Sequence, residues 1–248
     1  MTAVSPPATA TWHPPVGIAP RGTLLVLPGR GEHPLVYERF GRRLAFDGYV
    51  VHAVAVRPGD GPARVRAAAR AAAGPEPAAP VVLVGSDTGA LQALHAAGAA
   101  DPALRVDGVV AAGAAPTGGA AQDSREADWD VELAARTACP THRARLADDG
   151  AFVRGGLAEP VPDALRAEAA PGVPVLLLHG DADPVTPLAE AELRAARLSR
   201  ATLGVVHGGV HDALNDITHR TTAATVVVWL ERLRADGTGR PLLTLTGT

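Results

Sequence analysis

The stretch Val81-Val82-Leu83-Val84-Gly85-Ser86-Asp87-Thr88-Gly89-Ala90 decides the fold prediction. Its apolar start predicts a buried strand, and residues 90–100 predict a helix that follows almost at once. Gly85 stands two positions before Asp87, and Gly89 stands two positions after it. A turn this sharp favours glycine because side chains there would meet neighbouring backbone. The pattern therefore predicts a strand–turn–helix unit that holds Asp87 above the end of a sheet.

Strand-like and helix-like segments alternate on both sides of this unit. Apolar runs that predict strands lie at residues 22–28, 49–56, 81–84, 106–112, 174–178 and 201–206. Patterns that predict helices lie at residues 35–46, 64–73, 90–100, 188–198 and about 213–234. This order predicts an α/β fold, in which a mostly parallel sheet carries helices on both faces. In the helix at 35–46, we expect Leu35, Phe40, Leu44 and Ala45 on one face.

Residues 115–171 contain no convincing strand pattern, and we call them the lid segment. A long insertion between two strands of a compact domain usually serves a site, so we expect a small helical lid there. Its tryptophan, Trp129, is a candidate substrate contact. The length of 248 residues otherwise fits one α/β domain over residues 1–248.

Composition narrows the possible partners. Hydrophobic residues make up 47% of the chain and charged residues 20%, as in globular proteins. The formal net charge of -3 provides no basic surface for nucleic acid or an anionic membrane, so we expect a small-molecule substrate. All 23 basic residues are arginine, which excludes mechanisms that need a lysine amine. The sequence gives no indication of oligomeric state.

The expected location is the cytoplasm. The lone Cys139 cannot form an internal disulfide, which fits a reducing compartment. Residues 1–15 lack the basic start and apolar stretch of a secretory signal. No uninterrupted apolar segment approaches the ~18 residues of a membrane helix, so no membrane span is expected.

Two further segments place reactive side chains after strands. Asp183 follows the strand at 174–178, and His211 follows the last strand. Alone, each of these residues would be an ordinary turn or loop residue, and Asp87 would be an ordinary helix cap. Their order along the chain is nevertheless the order nucleophile, acid, histidine of a known catalytic arrangement. Together the three residues are therefore expected to form a catalytic site.

Neither a metal nor another cofactor is expected. The candidate ligands include His179, Asp181, His207 and the two catalytic candidates Asp183 and His211. Their spacing matches no common metal-binding motif.

The chain resembles the α/β-hydrolase superfamily, nearest to its lysophospholipase and monoglyceride-lipase-like branch. The likeness covers nearly everything outside the lid segment. Besides the glycine turn, Pro28-Gly29-Arg30-Gly31-Glu32-His33 resembles that branch's His-Gly-x-Gly-Glu-His segment, with Leu27-Pro28 in place of its usual apolar-His pair, and residues 211–216 resemble its His-x-x-x-Asn-Glu ending. The resemblance implies an α/β-hydrolase fold and an oxyanion hole formed by the backbone N–H groups of Arg30 and Thr88. Where that branch has serine, this chain has Asp87.

Aspartate nucleophiles in this superfamily belong to haloalkane and haloacid dehalogenases and epoxide hydrolases, which form an alkyl-enzyme ester. The chain departs from both patterns. Haloalkane dehalogenases usually have tryptophan where Thr88 stands, and epoxide hydrolases have lid tyrosines, whereas Tyr37 and Tyr49 lie outside the lid segment.

We therefore expect a hydrolase in which Asp87 acts as nucleophile or general base, His211 as base or proton shuttle, and Asp183 as its orienting acid. Two carboxylates beside His211 should raise its pKa. Two alternatives stay open: a non-hydrolytic enzyme that catalyses a cyclisation, rearrangement or elimination, and a binding protein that has lost catalysis.

Overall fold

The computed structural model describes residues 8–99, 103–118, 128–235 and 242–244. In these residues the sheet has seven strands: β1 (Ala10–Trp12), β2 (Thr23–Leu27), β3 (Val50–Ala53), β4 (Val81–Asp87), β5 (Gly108–Ala114), β6 (Val175–Gly180) and β7 (Ala201–Val206). Their spatial order is β1-β3-β2-β4-β5-β6-β7. The pairing of β1 with β3 is antiparallel, and the other neighbours are parallel.

Helices cover both faces of this sheet. They are α1 (Glu38–Phe46), α2 (Pro62–Ala73), α3 (Thr88–Gly98), α4 (Trp129–Arg136), α5 (Pro140–Asp148), α6 (Asp163–Arg166), α7 (Leu188–Arg197) and α8 (His219–Ala235), with 3₁₀ turns at Pro34–Tyr37 and Gly156–Ala158. Leu24 and Val26 of β2 pack in the core that includes α1 and α8 residues, whereas Leu25 and Leu27 pack in the core that includes α2 and α3 residues. Side chains alternate along a strand, so one apolar run supplies both cores.

The α/β fold prediction is confirmed, and so is each of the six predicted strands. The sequence patterns missed β1, which has only three residues and depends on its pairing with β3. The last helix begins at His219 rather than near residue 213. The reason is a turn closed by the side chain of Asp216, which accepts hydrogen bonds from the N–H groups of Val210 (3.0 Å) and Ala138 (2.7 Å).

The expectation for Leu35 was wrong. Leu35 lies in a 3₁₀ turn ahead of α1 and is 48% exposed, whereas Phe40, Leu44 and Ala45 are buried as expected. A 3₁₀ turn rotates side chains by a different angle per residue from an α-helix, so Leu35 leaves the face shared by the other three.

The turn between β4 and α3 has the sharp geometry predicted from its glycines. Asp87 lies at φ 51° and ψ −121°, a conformation that L-residues rarely adopt. A Cβ added to Gly85 would lie 2.1 Å from the carbonyl oxygen of Gly89, and one added to Gly89 would lie 2.1 Å from that of Leu27. Both contacts are far inside van der Waals distance, so the turn requires both glycines.

The lid segment lies between β5 and β6. Its described part contains α4, α5, α6 and a 3₁₀ turn, and none of those residues belongs to a strand. Residues 119–127 of the lid segment lie outside the described residues. Among the described helices, none combines the length and the apolar character needed to cross a membrane.

Candidate active site

The turn at the end of β4 brings Asp87 to His211. Asp87 Oδ1 lies 3.2 Å from His211 Nε2, and His211 Nδ1 lies 2.8 Å from Asp183 Oδ2. The three residues come from the carboxyl end of β4, the loop after β6 and the loop after β7. They form a continuous row of carboxylate, imidazole and carboxylate.

The loop after β6 fixes which oxygen of Asp183 faces the histidine. Asp183 Oδ1 accepts the N–H groups of Val185 (2.8 Å) and Thr186 (3.1 Å), which leaves Oδ2 for His211. His179 Nε2 lies 2.8 Å from the Thr186 carbonyl oxygen and 3.4 Å from Asp183 Oδ2. Sequence reasoning treated His179 only as a possible metal ligand. In the structure His179 instead contacts the loop that carries Asp183.

The loop that carries His211 is held by the lid segment and by β5. The backbone N–H of His211 donates to the carbonyl of Ala135 at 3.2 Å, and that of Asp212 donates to the carbonyl of Arg136 at 2.8 Å. On the other side, a Cβ at Gly113 would lie 1.9 Å from the His211 carbonyl oxygen. Position 113 of β5 therefore has to be glycine for the loop that carries His211 to pack this closely.

Arg30 is the residue whose side-chain role the sequence did not reveal. Its backbone N–H donates to Asp87 Oδ2 at 2.8 Å, and its Nε donates to the same oxygen at 2.9 Å. Its Nη2 donates to Asp87 Oδ1 at 2.7 Å. The resemblance implied a role only for the backbone N–H of Arg30, as an oxyanion-hole donor. In the structure both the backbone and the side chain of Arg30 bind the Asp87 carboxylate. Arg30, Asp87, His211 and Asp183 together form what we call the ion-pair network.

Asp87 is saturated with hydrogen-bond donors in this arrangement. A carboxylate offers about four lone-pair positions. Three of them face Arg30, and the fourth faces His211. A fifth group can reach the carboxylate only if one of these donors withdraws.

The network is buried and balanced in charge. Asp87 and His211 are each 1% exposed, and Arg30 is 3% exposed. Burial raises the pKa of Asp87, but the Arg30 charge and the His211 hydrogen bond lower it more, so it lies well below its usual range. Asp183 shifts down for a similar reason, because the effect of His211 exceeds that of burial.

His211 shifts in the opposite direction. Burial lowers its pKa, but Asp183 and Asp87 together raise it to about 9. At neutral pH the network therefore holds two carboxylates, one imidazolium and one guanidinium, which is electrically neutral. Neutrality explains how four charged groups can share a buried site.

The lid segment also forms hydrogen bonds with Arg30 directly. Arg30 Nη1 donates to the carbonyl oxygens of Leu157 (3.0 Å) and Glu159 (2.6 Å). Its own carbonyl oxygen accepts a hydrogen bond from Arg136 Nη2 at 2.8 Å. Both ends of Arg30 are thus tied to residues between β5 and β6.

Arg136 is a second buried arginine that joins the lid segment to the loop after β2. Its Nε and Nη2 donate to Glu132 Oε1 at 3.0 and 2.7 Å. Its Nη1 lies 3.6 Å from Glu32 Oε1, and the guanidinium carbon lies 4.8 Å from the centre of the Phe152 ring. Sequence reasoning missed this contact because Glu32 and Arg136 lie far apart along the chain.

The two remaining candidate residues lie near the network or in the lid segment. Thr88 is the first residue of α3 and is fully buried, and its Oγ1 has no hydrogen-bond partner in the described part of the chain. Trp129 packs against Phe152, with ring centres 5.6 Å apart, and the Arg154 guanidinium lies 4.7 Å from the centre of its ring. Both of these partners of the Trp129 ring belong to the lid segment. Across the described ranges, no three histidine, cysteine or acidic side chains group as metal ligands would.

Comparison with known proteins gives one partial family match. A protein-family model described as TAP-like protein matches residues 156–240, the part of the chain that contains Asp183 and His211. No curated protein matches the sequence.

Several solved structures are similar over nearly the whole chain. The monoacylglycerol lipase of Paleococcus ferrophilus has 20% sequence identity and a TM-score of 0.70, covering 91% of this chain and 98% of its own. A monoglyceride lipase from Saccharomyces cerevisiae has 16% identity and a TM-score of 0.68, covering 91% of each chain. The meta-cleavage product hydrolase of Pseudomonas fluorescens has 16% identity and a TM-score of 0.67, covering 90% of this chain and 93% of its own.

At these identities the likenesses bear on the fold, and they add to the evidence of this chain's own mostly parallel sheet with helices on both faces. The chain has the α/β-hydrolase fold.

Proposed function

We propose that the chain is a hydrolase of small organic substrates, with Asp87 as its nucleophile, His211 as its proton carrier and Asp183 as the acid that orients His211. The observation that carries this proposal is the row from Asp87 through His211 to Asp183 at the end of the sharp turn. The structurally similar proteins include lipases and a hydrolase, which favours hydrolysis.

The two oxygens of Asp87 are suited to different tasks. Oδ2 already accepts the backbone N–H of Arg30, a position suited to an oxyanion-hole donor, while Oδ1 faces His211. Attack by Oδ1 on an acyl carbon would give a high-energy anhydride. A saturated carbon instead gives an ordinary ester, so the proposed substrate has an electrophilic alkyl carbon.

His211 supplies the proton that such a reaction requires. With a pKa of about 9, it is an imidazolium at neutral pH and can protonate a departing oxygen. His211 would thus do the work of the lid tyrosines that protonate the opening oxygen in epoxide hydrolases. An epoxide is the simplest substrate that fits this arrangement. Asp87 Oδ1 forms a bond to the epoxide carbon, the ring C–O bond breaks, and the ring oxygen takes the His211 proton.

The ester is then cleaved by water. Neutral His211 takes a proton from water, the resulting hydroxide adds to the Asp87 carboxyl carbon, and the negative oxygen rests on the Arg30 N–H. Collapse of this intermediate breaks the ester bond and leaves an alkoxide beside the protonated carboxyl group of Asp87. The carboxyl proton passes to the alkoxide, which gives the diol, an Asp87 carboxylate and a His211 imidazolium. Atoms and charges return to their starting state.

Arg30 has to move for the first step. Its Nη2 occupies Asp87 Oδ1, the attacking oxygen, at 2.7 Å. Its backbone N–H can stay on Oδ2 while the guanidinium withdraws. Under this proposal the structure corresponds to a resting state, in which the arginine side chain covers Asp87.

The test is turnover of small epoxides, with 4-nitrophenyl acetate as an ester comparison, by the full chain and two matched variants. Asp87→Asn should lower kcat by at least about a hundredfold, because an amide neither attacks carbon nor holds the imidazolium. Asp181→Asn is the control, since Asp181 follows β6, the strand that precedes Asp183, and pairs with His207 on the surface. Unchanged turnover in Asp87→Asn would reject Asp87 as nucleophile.

One observation favours a second function. Because Asp87 is saturated with donors, His211 could donate its proton to a substrate without any covalent adduct, as in a rearrangement or elimination. Product mass separates the two functions. A hydrolase adds the mass of one water molecule to its substrate. A rearrangement leaves the mass unchanged, and an elimination lowers the mass of the main product.

A further inference from the structure

A cavity of about 320 Å³ lies between α3, α7 and residues 166–170. Its apolar wall includes Leu91, Leu94, Leu193 and Leu198. None of the residues of the ion-pair network is among the described residues that line it. The volume lies at the lower end of the range for small-molecule sites.

One charged side chain in this wall is weakly paired. Arg194 lines the cavity, and its Nη2 donates to the carbonyl oxygen of Ala115 at 3.4 Å. Its Nη1 is buried and has no hydrogen-bond partner among the described residues. A buried donor left without an acceptor costs stability, and arginine cannot lose its charge to avoid that cost. Among the described residues, the hydrogen bond from Nη2 to Ala115 is the one recorded for this guanidinium, and it is long. A weakly paired guanidinium in a wall that also contains leucines is thus suited to an anion from outside the chain.

The neighbouring charges do not neutralise Arg194. Arg197 is paired with Glu168, and Arg166 lies 3.3 Å from Asp163. Glu190, one turn earlier on α7, forms no ion pair with Arg194 within the described part of the chain, although its charge opposes the effect of burial. Burial lowers the pKa of Arg194 more than Glu190 raises it. Within the described residues, the cavity therefore contains a cation that no carboxylate approaches within 4 Å, although the charges of Glu190 and Glu168 act on it from farther away.

We propose that this cavity binds a monocarboxylate with an aliphatic chain, whose carboxylate pairs with the Arg194 guanidinium and whose chain lies along the leucines. The cation selects an anionic head group, and the leucines select an apolar tail. A fully polar anion such as phosphate would leave the leucine wall without a partner. This proposal does not depend on the chemistry of Asp87.

The experiment is calorimetric titration of the full chain with octanoate, compared with 1-octanol, which has the same tail and no charge. Octanoate should bind at one site, and octanol should bind at least about tenfold more weakly, because a charge-assisted hydrogen bond is lost. Arg194→Gln should weaken octanoate binding by a similar factor. Arg64→Gln is the control, since the Arg64 side chain is 74% exposed on α2.

A second variant guards against a folding defect. Leu193 is 57% exposed, so Leu193→Glu should fold while placing a repelling carboxylate at the cavity wall, and it too should lose octanoate. Asp87→Asn should bind octanoate like the unaltered chain. No binding to the unaltered chain, equal binding by Arg194→Gln, or a loss of binding in Asp87→Asn alone would each overturn the proposal, the last by moving the ligand to the active site.

Discussion

At the level of single residues, His211 determines how the site responds to pH. Its pKa rises to about 9 because Asp183 and Asp87 both contact it in the folded chain. In the unfolded chain it returns to about 6.5. The folded state therefore binds the proton more tightly, and this linkage stabilises the fold fully below pH 6.5.

We predict that this stabilisation is lost as pH rises from 6.5 through 9. The loss should approach about 3 kcal/mol, from the size of the pKa difference. Urea denaturation at several pH values measures it, and the His211→Gln variant is the control. If both proteins lose the same stability over this range, His211 is not the group responsible.

Arg30 and Asp87 depend on each other for burial. Arg30→Met keeps the backbone N–H on Asp87 and removes the guanidinium, which leaves a buried carboxylate short of positive charge. We predict a loss of about 3–5 kcal/mol in the free energy of unfolding. Arg42→Met is the matched control, since the Arg42 side chain is 70% exposed beside Glu38 and should change stability by less than about 0.5 kcal/mol. Equal stability of the two variants would contradict the buried ion pair.

At the level of elements, the turn between β4 and α3 was predictable because its requirement is local. Gly85 and Gly89 are needed by the backbone around Asp87 itself, so their spacing could be recognised in the sequence. The contact between Arg30 and Asp87 was not predictable in this way. It joins side chains 57 residues apart, and only the folded sheet brings the loop after β2 beside the end of β4.

The same distinction explains the errors in element bounds. β1 exists through its pairing with β3, and α8 starts late because the Asp216 side chain bonds the N–H groups of Val210 and Ala138. Both causes lie in tertiary contacts that no local pattern records. The apolar runs at residues 22–28 and 201–206, in contrast, predicted the bounds of β2 and β7 to within two residues.

We predict that Gly89→Ala prevents stable folding or destabilises the chain by more than about 3 kcal/mol. The added methyl would lie 2.1 Å from the Leu27 carbonyl oxygen, which belongs to the neighbouring strand and cannot yield without disturbing the sheet. Gly59→Ala is the control because no atom lies within 4 Å of the added methyl there. Thermal melts of both variants provide the comparison, and a Gly89→Ala protein as stable as Gly59→Ala would contradict the close packing at the turn.

At the level of the whole molecule, the site is assembled from four parts of the sheet and the lid segment. That Asp87, Asp183 and His211 lie close together could be predicted, because each follows a strand and parallel strands end at one edge of the sheet. The arginine side chains that surround the site could not. Arg30 and Arg136 bind the lid segment to the loop after β2. The hydrogen bonds of Arg30 to Asp87 then connect the lid segment to the proposed nucleophile.

The central claim is that Asp87 attacks the substrate. The most direct measurement is one turnover of styrene oxide by excess protein in ¹⁸O-water, followed by mass analysis of the diol and of the peptides that contain Asp87 and Asp181. We predict ¹⁸O in the Asp87 carboxylate and none in the diol or at Asp181, because water attacks the carboxyl carbon of the ester. A labelled diol with an unlabelled Asp87 would contradict the claim, since water would then have attacked the substrate itself.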